Sequence, residues 1–456
     1  AFDKRANKQP LPDDDIEEDV VRDGIRLIKS WGTRLPLYQD SDEIWEEWLS
    51  KFDPVKRKRM VIARGTLFEN EYNYQYLHEK SLSVKIEVLL KRYDETWAPR
   101  LIYASTDAFN ALTGPIVNNM MGRLNEFSRN NILGKCDIMF CYKRQDTECA
   151  QHLNDPEFPF CFEGDFSSND LFQRRSMWRV ADAVYEKLGA TQDLRKLFKA
   201  GVKYTIKNHD YGLRAIADGP FATGTTQTTF RNCSVNFTIF GTFIMHKFGH
   251  LPDEVVCKVC ILGDDILIVC KYWFDVKEWE EWARKWKMKL KAVDTNVAGE
   301  ATLLSRRICV HTETWCMMPK LGKALARFNA RASKNASVSD SAYMAGKALS
   351  YAYEFRHFPL FRDIFLQRYQ SEEDKAIVDP SEVSWFTRQS GVDLSRLVES
   401  IYAEKVLASE DSTREFIMDA YGYTIGLVET LEITKRVVLS KRIEQVPWPR
   451  ELSIDM

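Results

Sequence analysis

Two short runs rich in Val and Ile, Val255 to Leu262 and Ile266 to Cys270, are separated only by Gly263-Asp264-Asp265. Apolar runs of this length, punctuated by a glycine and two acids, predict a tight β-hairpin whose turn carries the carboxylates. Two adjacent bare acids repel unless a cation compensates them. Oxygen donors in this arrangement suit a hard divalent ion. The hairpin by itself fits a metal-binding turn at the end of a buried sheet and also an ordinary Asp-containing turn.

About a hundred residues upstream, Phe160-Cys-Phe-Glu-Gly-Asp165 is an apolar segment ending in an acid, and Asp170 follows five residues later. A strand-end carboxylate from here, facing the hairpin turn, would complete a two-metal site of the kind used in phosphoryl transfer. Between the two segments lies Thr223-Gly224, then Thr228 and Asn232. The last two are four apart and share one face of the predicted helix. Hydroxyl and amide groups so placed can read a sugar hydroxyl.

Taken in order and spacing, these segments resemble the palm motifs of viral RNA-dependent RNA polymerases: Asp-x4-Asp at Asp165 and Asp170, Thr-Gly-x3-Thr-x3-Asn at Thr223 to Asn232, and Gly-Asp-Asp at Gly263 to Asp265. Val84-Lys85-Ile-Glu87 with Ala98-Pro-Arg100 is similar to the fingers motif, with Lys91 and Arg92 between. Lys289 in Trp286-Lys-Met-Lys289-Leu-Lys291 resembles the lysine that acts as general acid towards pyrophosphate. Leu303-Leu-Ser-Arg306 looks like the strand that grips the nascent 3′ end. The resemblance covers about residues 84 to 307. The motif order is that of positive-strand, picornavirus-like enzymes, and the Thr-Thr-Phe-x-Asn string also resembles totivirus-type enzymes.

The resemblance implies an α/β right-hand fold. Residues 1–45 would form an N-terminal arm, 46–135 the fingers, 136–175 the first part of the palm and 176–214 a fingers insertion. Residues 215–310 would complete the palm, and 311–456 would form a helical thumb. It implies two Mg²⁺ (or Mn²⁺) ions on Asp165, Asp264 and Asp265. Asp170, Gly224, Thr228 and Asn232 would face the ribose, and Lys85 and Arg100 the triphosphate. The implied partners are RNA template and product, NTPs and other viral replication proteins, in a replication complex of the host cytoplasm. A reverse transcriptase and a catalytically silent RNA-binding subunit are the competing readings.

The composition sets limits. Lys plus Arg is 64 and Asp plus Glu is 66, a formal charge of −2, which excludes a generally basic, histone-like binder. The counterweight is local: Lys320, Lys323, Arg327, Arg331 and Lys334 recur three or four apart with no acid between them. They predict a one-sided basic helix that, with Arg306, would track RNA phosphates. Lys56 to Arg59 is a second basic cluster, suited to a solvated loop or to nucleic acid. No apolar run reaches the roughly 20 residues of a membrane span. The ten cysteines read as reduced core residues, including the Cys257-x-x-Cys260 pair and the group Cys136, Cys141, Cys149 and His152. Helices are expected at Leu171–Leu188, at Cys233–Phe248, along the Trp279/Trp282/Trp286 stripe, and over most of the chain after Ser339-Asp340. Strands are expected at Ser83–Leu90 and Arg100–Ala104.

Overall fold

The computed structural model describes residues 15–52, 54–69, 77–84, 100–218, 221–295, 298–331, 339–374, 396–422, 425–440 and 452–455. The expectations for Lys85, Lys91, Arg92 and Lys334 lie outside them. The chain divides into two compact units: Ala1–Lys85, Thr96–Phe140 and Glu157–Asp294 form the first, and Ile86–Glu95, Cys141–Pro156 and Thr295–Met456 the second.

The first unit holds two sheets. Strands β1 (Glu79–Val84), β2 (Leu101–Ser105), β5 (Lys203–Asn208) and β6 (Leu213–Asp218) form one, in the order β2-β1-β5-β6. Strands β3 (Cys136–Phe140), β4 (Phe160–Phe166), β7 (Cys257–Leu262), β8 (Asp265–Cys270) and β9 (Leu290–Asp294) form the other, in the order β3-β7-β8-β4-β9. Here β3 runs parallel to β7, and the remaining pairs are antiparallel. β7 and β8 are almost wholly buried, which is why their sequence is continuously apolar instead of alternating.

One face of this second sheet is covered by helices. Thr228–Phe248 is buried over most of its length, and its Phe240 lies edge-on to Trp279 of the helix Val276–Lys285, with ring centroids 5.1 Å apart. Trp279 and Trp286 are buried as expected of a tryptophan stripe. Trp282 is only partly buried, stacks on His246 and donates its indole N–H to Thr242 Oγ1 at 3.0 Å. Cys257 and Cys270 sit opposite each other at the base of the β7–β8 hairpin, Cα atoms 4.3 Å apart, and form a disulfide. This corrects the expectation that every cysteine is reduced. The pairing depends on strand register, which spacing alone does not reveal.

Three other expectations shift. The strand expected at Ser83–Leu90 begins earlier, at Glu79. The single helix expected at Leu171–Leu188 is a short turn, Asn169–Phe172, then Met177–Lys187. The break falls at Gln173, whose backbone is extended (ψ 120°). The Lys56–Arg59 cluster is helical and mostly engaged. Lys56 lies over Phe52, Arg57 donates to the Ser50 and Phe52 carbonyls, and Arg59 pairs with Asp107 at 2.7 Å. The segment is thus a helix and not the loop that is one of the two readings.

The second unit is largely helical. A small sheet of β10 (Thr302–Leu303), β11 (Arg306–Cys309) and β12 (Cys316–Pro319) leads into the helices Leu321–Phe328, Asp340–Glu354, Pro359–Ser371, Leu397–Ala403, Glu410–Tyr421 and Leu427–Leu439. Phe328, Phe355 and Phe365 pack at its centre. Ser339 caps Asp340–Glu354 by accepting from the Ala342 N–H, as the sequence predicts. None of the described helices is long and apolar enough to cross a membrane.

Candidate active site

The β7–β8 hairpin closes through a two-residue turn, Gly263-Asp264, with Leu262 paired to Asp265. Gly263 has φ +69°, a value glycine takes without steric cost and one that suits the twist of a two-residue hairpin. A methyl group there would meet nothing within 4 Å, so backbone conformation and not space demands the glycine. The turn is held from the helix Thr228–Phe248. The Gly263 N–H donates to Cys233 Sγ at 3.1 Å, and Asn236 Nδ2 donates to the Gly263 carbonyl at 2.6 Å. Burial pushes the Cys233 thiol up to about 12, so it stays a neutral acceptor. Sequence reading gave neither Cys233 nor Asn236 this role. Their spacing on one helix face was visible, but not what that face meets.

Register brings the acids together. Asp165 at the end of β4 is directly opposite Asp265 on β8 and directly opposite Lys291 on β9. Residues opposite each other in an antiparallel pair project to one face. Asp165, Asp265 and Lys291 therefore share the face away from Trp279, against which Gly164 packs. Lys289 immediately precedes β9 and is exposed, and its carbonyl accepts the Ser167 N–H at 2.9 Å. Burial raises the Asp264 carboxyl above its ordinary range, and the fields of Asp170 and Asp165 raise it further, while Arg100 opposes the shift. Asp264 thus lies within electrostatic reach of Asp165 and Asp170, and Asp265 lies opposite Asp165. Hard oxygen donors held together against their own repulsion fit divalent ions, and Asp165, Asp264 and Asp265 are the residues that would hold them.

A second cluster adjoins the acids. Thr223 Oγ1 donates to Asp170 Oδ2 at 2.6 Å. Burial raises the Asp170 carboxyl, against hydrogen bonding from Thr223 and Asn232 and the field of Arg231. Arg231 is 2% exposed, lies 4.3 Å over the Phe221 ring, and is lowered to about 10 by burial. Gln173 Nε2 donates to Asn232 Oδ1 at 2.7 Å. Thr228 bonds within its own loop. Its hydroxyl accepts the Gly224 N–H at 3.2 Å and donates to the Thr225 carbonyl at 2.9 Å. It closes the loop, and Thr223 is the hydroxyl on Asp170. Gly224, at φ +89°, lets that loop pass β2, where a Cβ would come within 2.9 Å of Ile102. Gln173 and Arg231 were missed because long-range side-chain partners leave no local spacing signal.

In the second unit, Arg306 is buried, its guanidinium 3.0 Å from Glu354 and 4.0 Å from Asp146. It is an internal ion-pair residue, which corrects its assignment to RNA contact. The predicted basic helix ends at Phe328. Lys320 immediately precedes its start without a side-chain capping bond, Lys323 donates to Ser305 Oγ at 2.6 Å, and Arg331 pairs with Asp340 beyond its end. Lys323 and Arg327 lie opposite the buried face of Leu321, Ala324, Leu325 and Phe328.

A family model described as RNA dependent RNA polymerase matches residues 33–379, spanning both acid clusters and the β7–β8 hairpin. No curated protein matches the chain. With about three quarters of its length matched to that family, the chain belongs to the viral RNA-dependent RNA polymerases of positive-strand type, nucleotidyltransferases that copy RNA from RNA.

Proposed function

We propose that the chain extends an RNA strand by adding NTPs to its 3′-hydroxyl, releasing pyrophosphate, in viral genome replication and transcription. The observation that carries this reading is the register that sets Asp165 opposite Asp265 beside the Asp264 turn. Asp165 and Asp264 would hold two Mg²⁺ or Mn²⁺ ions, with Asp265 as a secondary ligand. Bound there, such ions would acidify the hydroxyl and offset the charge of the triphosphate. The chain's own groups do the rest. Arg100, already felt by Asp264, and Lys85 orient the triphosphate through charge-assisted hydrogen bonds. Lys289 gives a proton to the leaving pyrophosphate, with Lys291 next on the same strand. Asp170, Thr223 and Asn232 receive the ribose 2′-hydroxyl, the group that distinguishes RNA precursors, and Thr228 and Gly224 shape their loop.

In this reading residues 136–175 and 215–310 are a palm, 46–135 and 176–214 the fingers, 311–456 a thumb and 1–45 an arm. Lys320, Lys323, Arg327 and Arg331 lie along RNA phosphates. The setting is a replication complex in the host cytoplasm with other viral proteins. The test offers labelled NTPs or dNTPs on defined RNA and DNA templates, with and without primer. Incorporation of NTPs on RNA supports the reading. Preference for dNTPs would indicate reverse transcription, and RNA binding without incorporation would indicate a silent subunit.

A further inference from the structure

Resting on the ribose-binding reading of Asp170 and Asn232, we infer that Gln173 is a positioning residue that sets sugar selectivity by fixing which end of the Asn232 amide faces Asp170. Asn232 is 6% exposed and Gln173 1% exposed, so water does not compete freely for either. The Gln173 amide nitrogen donates to Asn232 Oδ1 at 2.7 Å. That commits the Asn232 oxygen to the Gln173 side and leaves its NH₂ as the group directed at Asp170, whose carboxyl it helps hold down. An ionised carboxylate only accepts, so an amide turned the other way would set oxygen against oxygen.

The cluster is incomplete in a way that points to a ligand. Asp170 Oδ1 is buried and makes no hydrogen bond of good geometry among the described residues, although Thr223 satisfies Oδ2. A buried acceptor left open costs free energy, and an incoming hydroxyl supplies the missing donor. The sequence makes Gln173 available by breaking the expected Leu171–Leu188 helix there. Its N–H still bonds back to the Asn169 carbonyl at 3.2 Å, but its backbone turns extended and its side chain reaches Asn232, 59 residues away. A glutamine continuing the helix would have pointed elsewhere.

The test compares kcat/KM for a matched NTP and its 2′-deoxy form in the wild type, Gln173→Met, Gln173→Glu and Asn232→Ala. Methionine keeps the volume and removes the donor. Glutamate keeps the shape and reverses the polarity. Gln173→Met should lower the NTP/dNTP ratio about tenfold, the worth of one buried hydrogen bond, through the NTP value alone. Gln173→Glu should lower it at least as far. Equal losses on both substrates in both variants would show a merely structural role and overturn the inference, as would an unchanged ratio. If Asn232→Ala lowers the ratio and neither Gln173 variant does, only the role of Gln173 fails. If Asn232→Ala also leaves it unchanged, the ribose reading falls and takes this inference with it.

Discussion

The buried acid of the β7–β8 turn is held at an energetic disadvantage that the proposed metal-holding role would explain. Asp264 is raised by burial and by the fields of Asp170 and Asp165, so the metal-free protein is strained by its own charge. Asp264→Asn should therefore raise the thermal midpoint of the metal-free protein while abolishing incorporation, a trade between stability and activity. Calorimetry in a chelator reads the first effect. A lower midpoint would mean that the carboxylate is not under repulsion. The same shift carries a pH dependence. A carboxyl whose folded value is raised takes up a proton at a higher pH than usual, so Mn²⁺ affinity should start to fall above the ordinary aspartate range as pH drops. Titration of Mn²⁺ binding against pH checks it, and a flat profile would contradict the assignment. Two glycines next to the acids separate two causes. Gly263→Ala meets open space but keeps φ +69°, a cost of about 1–2 kcal/mol from conformation alone. Gly164→Ala would set its methyl 2.5 Å from the Trp279 ring, an overpacking cost of about 1–3 kcal/mol. Denaturant midpoints give both values.

At the scale of elements, the helix Thr228–Phe248 is what turns a hairpin into a site. Its Cys233 and Asn236 grip both sides of the Gly263 peptide. Asn236→Ala should cost about 1 kcal/mol of stability and lower kcat more than it raises KM, because it loosens a catalytic turn without touching substrate. A rise in KM alone would contradict that. In the second unit, Asp146 has no exposed side-chain surface, pairs with Arg356, and lies 4.0 Å from Arg306. Burial pushes its carboxyl up, but Arg356 and then Arg306 outweigh it, and the net shift is downward. A depressed folded value means that the pair's stabilisation is present above the unfolded value near 4 and is lost as pH falls below it. Asp146→Ala should cost about 3 kcal/mol by removing the fully buried carboxylate between two guanidiniums, which then keep only Glu404 and Glu354, and a loss under 1 kcal/mol on urea titration would refute that. The hairpin, the buried helix and the Ser339 cap were legible in the sequence because each is a local pattern of period or punctuation. The disulfide of Cys257 and Cys270, the burial of Arg306 and the bond from Thr223 to Asp170 were not. Each depends on register or on a partner far along the chain.

For the whole molecule, the near-zero charge of −2 conceals a division of labour. Acids concentrate at the β4–β8 end of the first unit, and many cations are spent in structure, as with Arg57, Arg59, Arg306 and Arg356. RNA binding should therefore rest on a local set of cations, with log affinity falling linearly in log salt. Lys323→Ala with Arg327→Ala should flatten that slope by about two contacts' worth. An unchanged slope would remove this helix from the RNA path. The chain belongs to a family that copies RNA from RNA, and the register of Asp165 against Asp265 supports the proposal that these carboxylates carry the chemistry. The most direct measurement is incorporation of labelled NTP on a defined RNA template in Mg²⁺, comparing wild type with Asp264→Ala of verified fold. The account predicts incorporation by the wild type and none above background by the variant at any Mg²⁺ concentration; incorporation by the variant at the wild-type rate would contradict it.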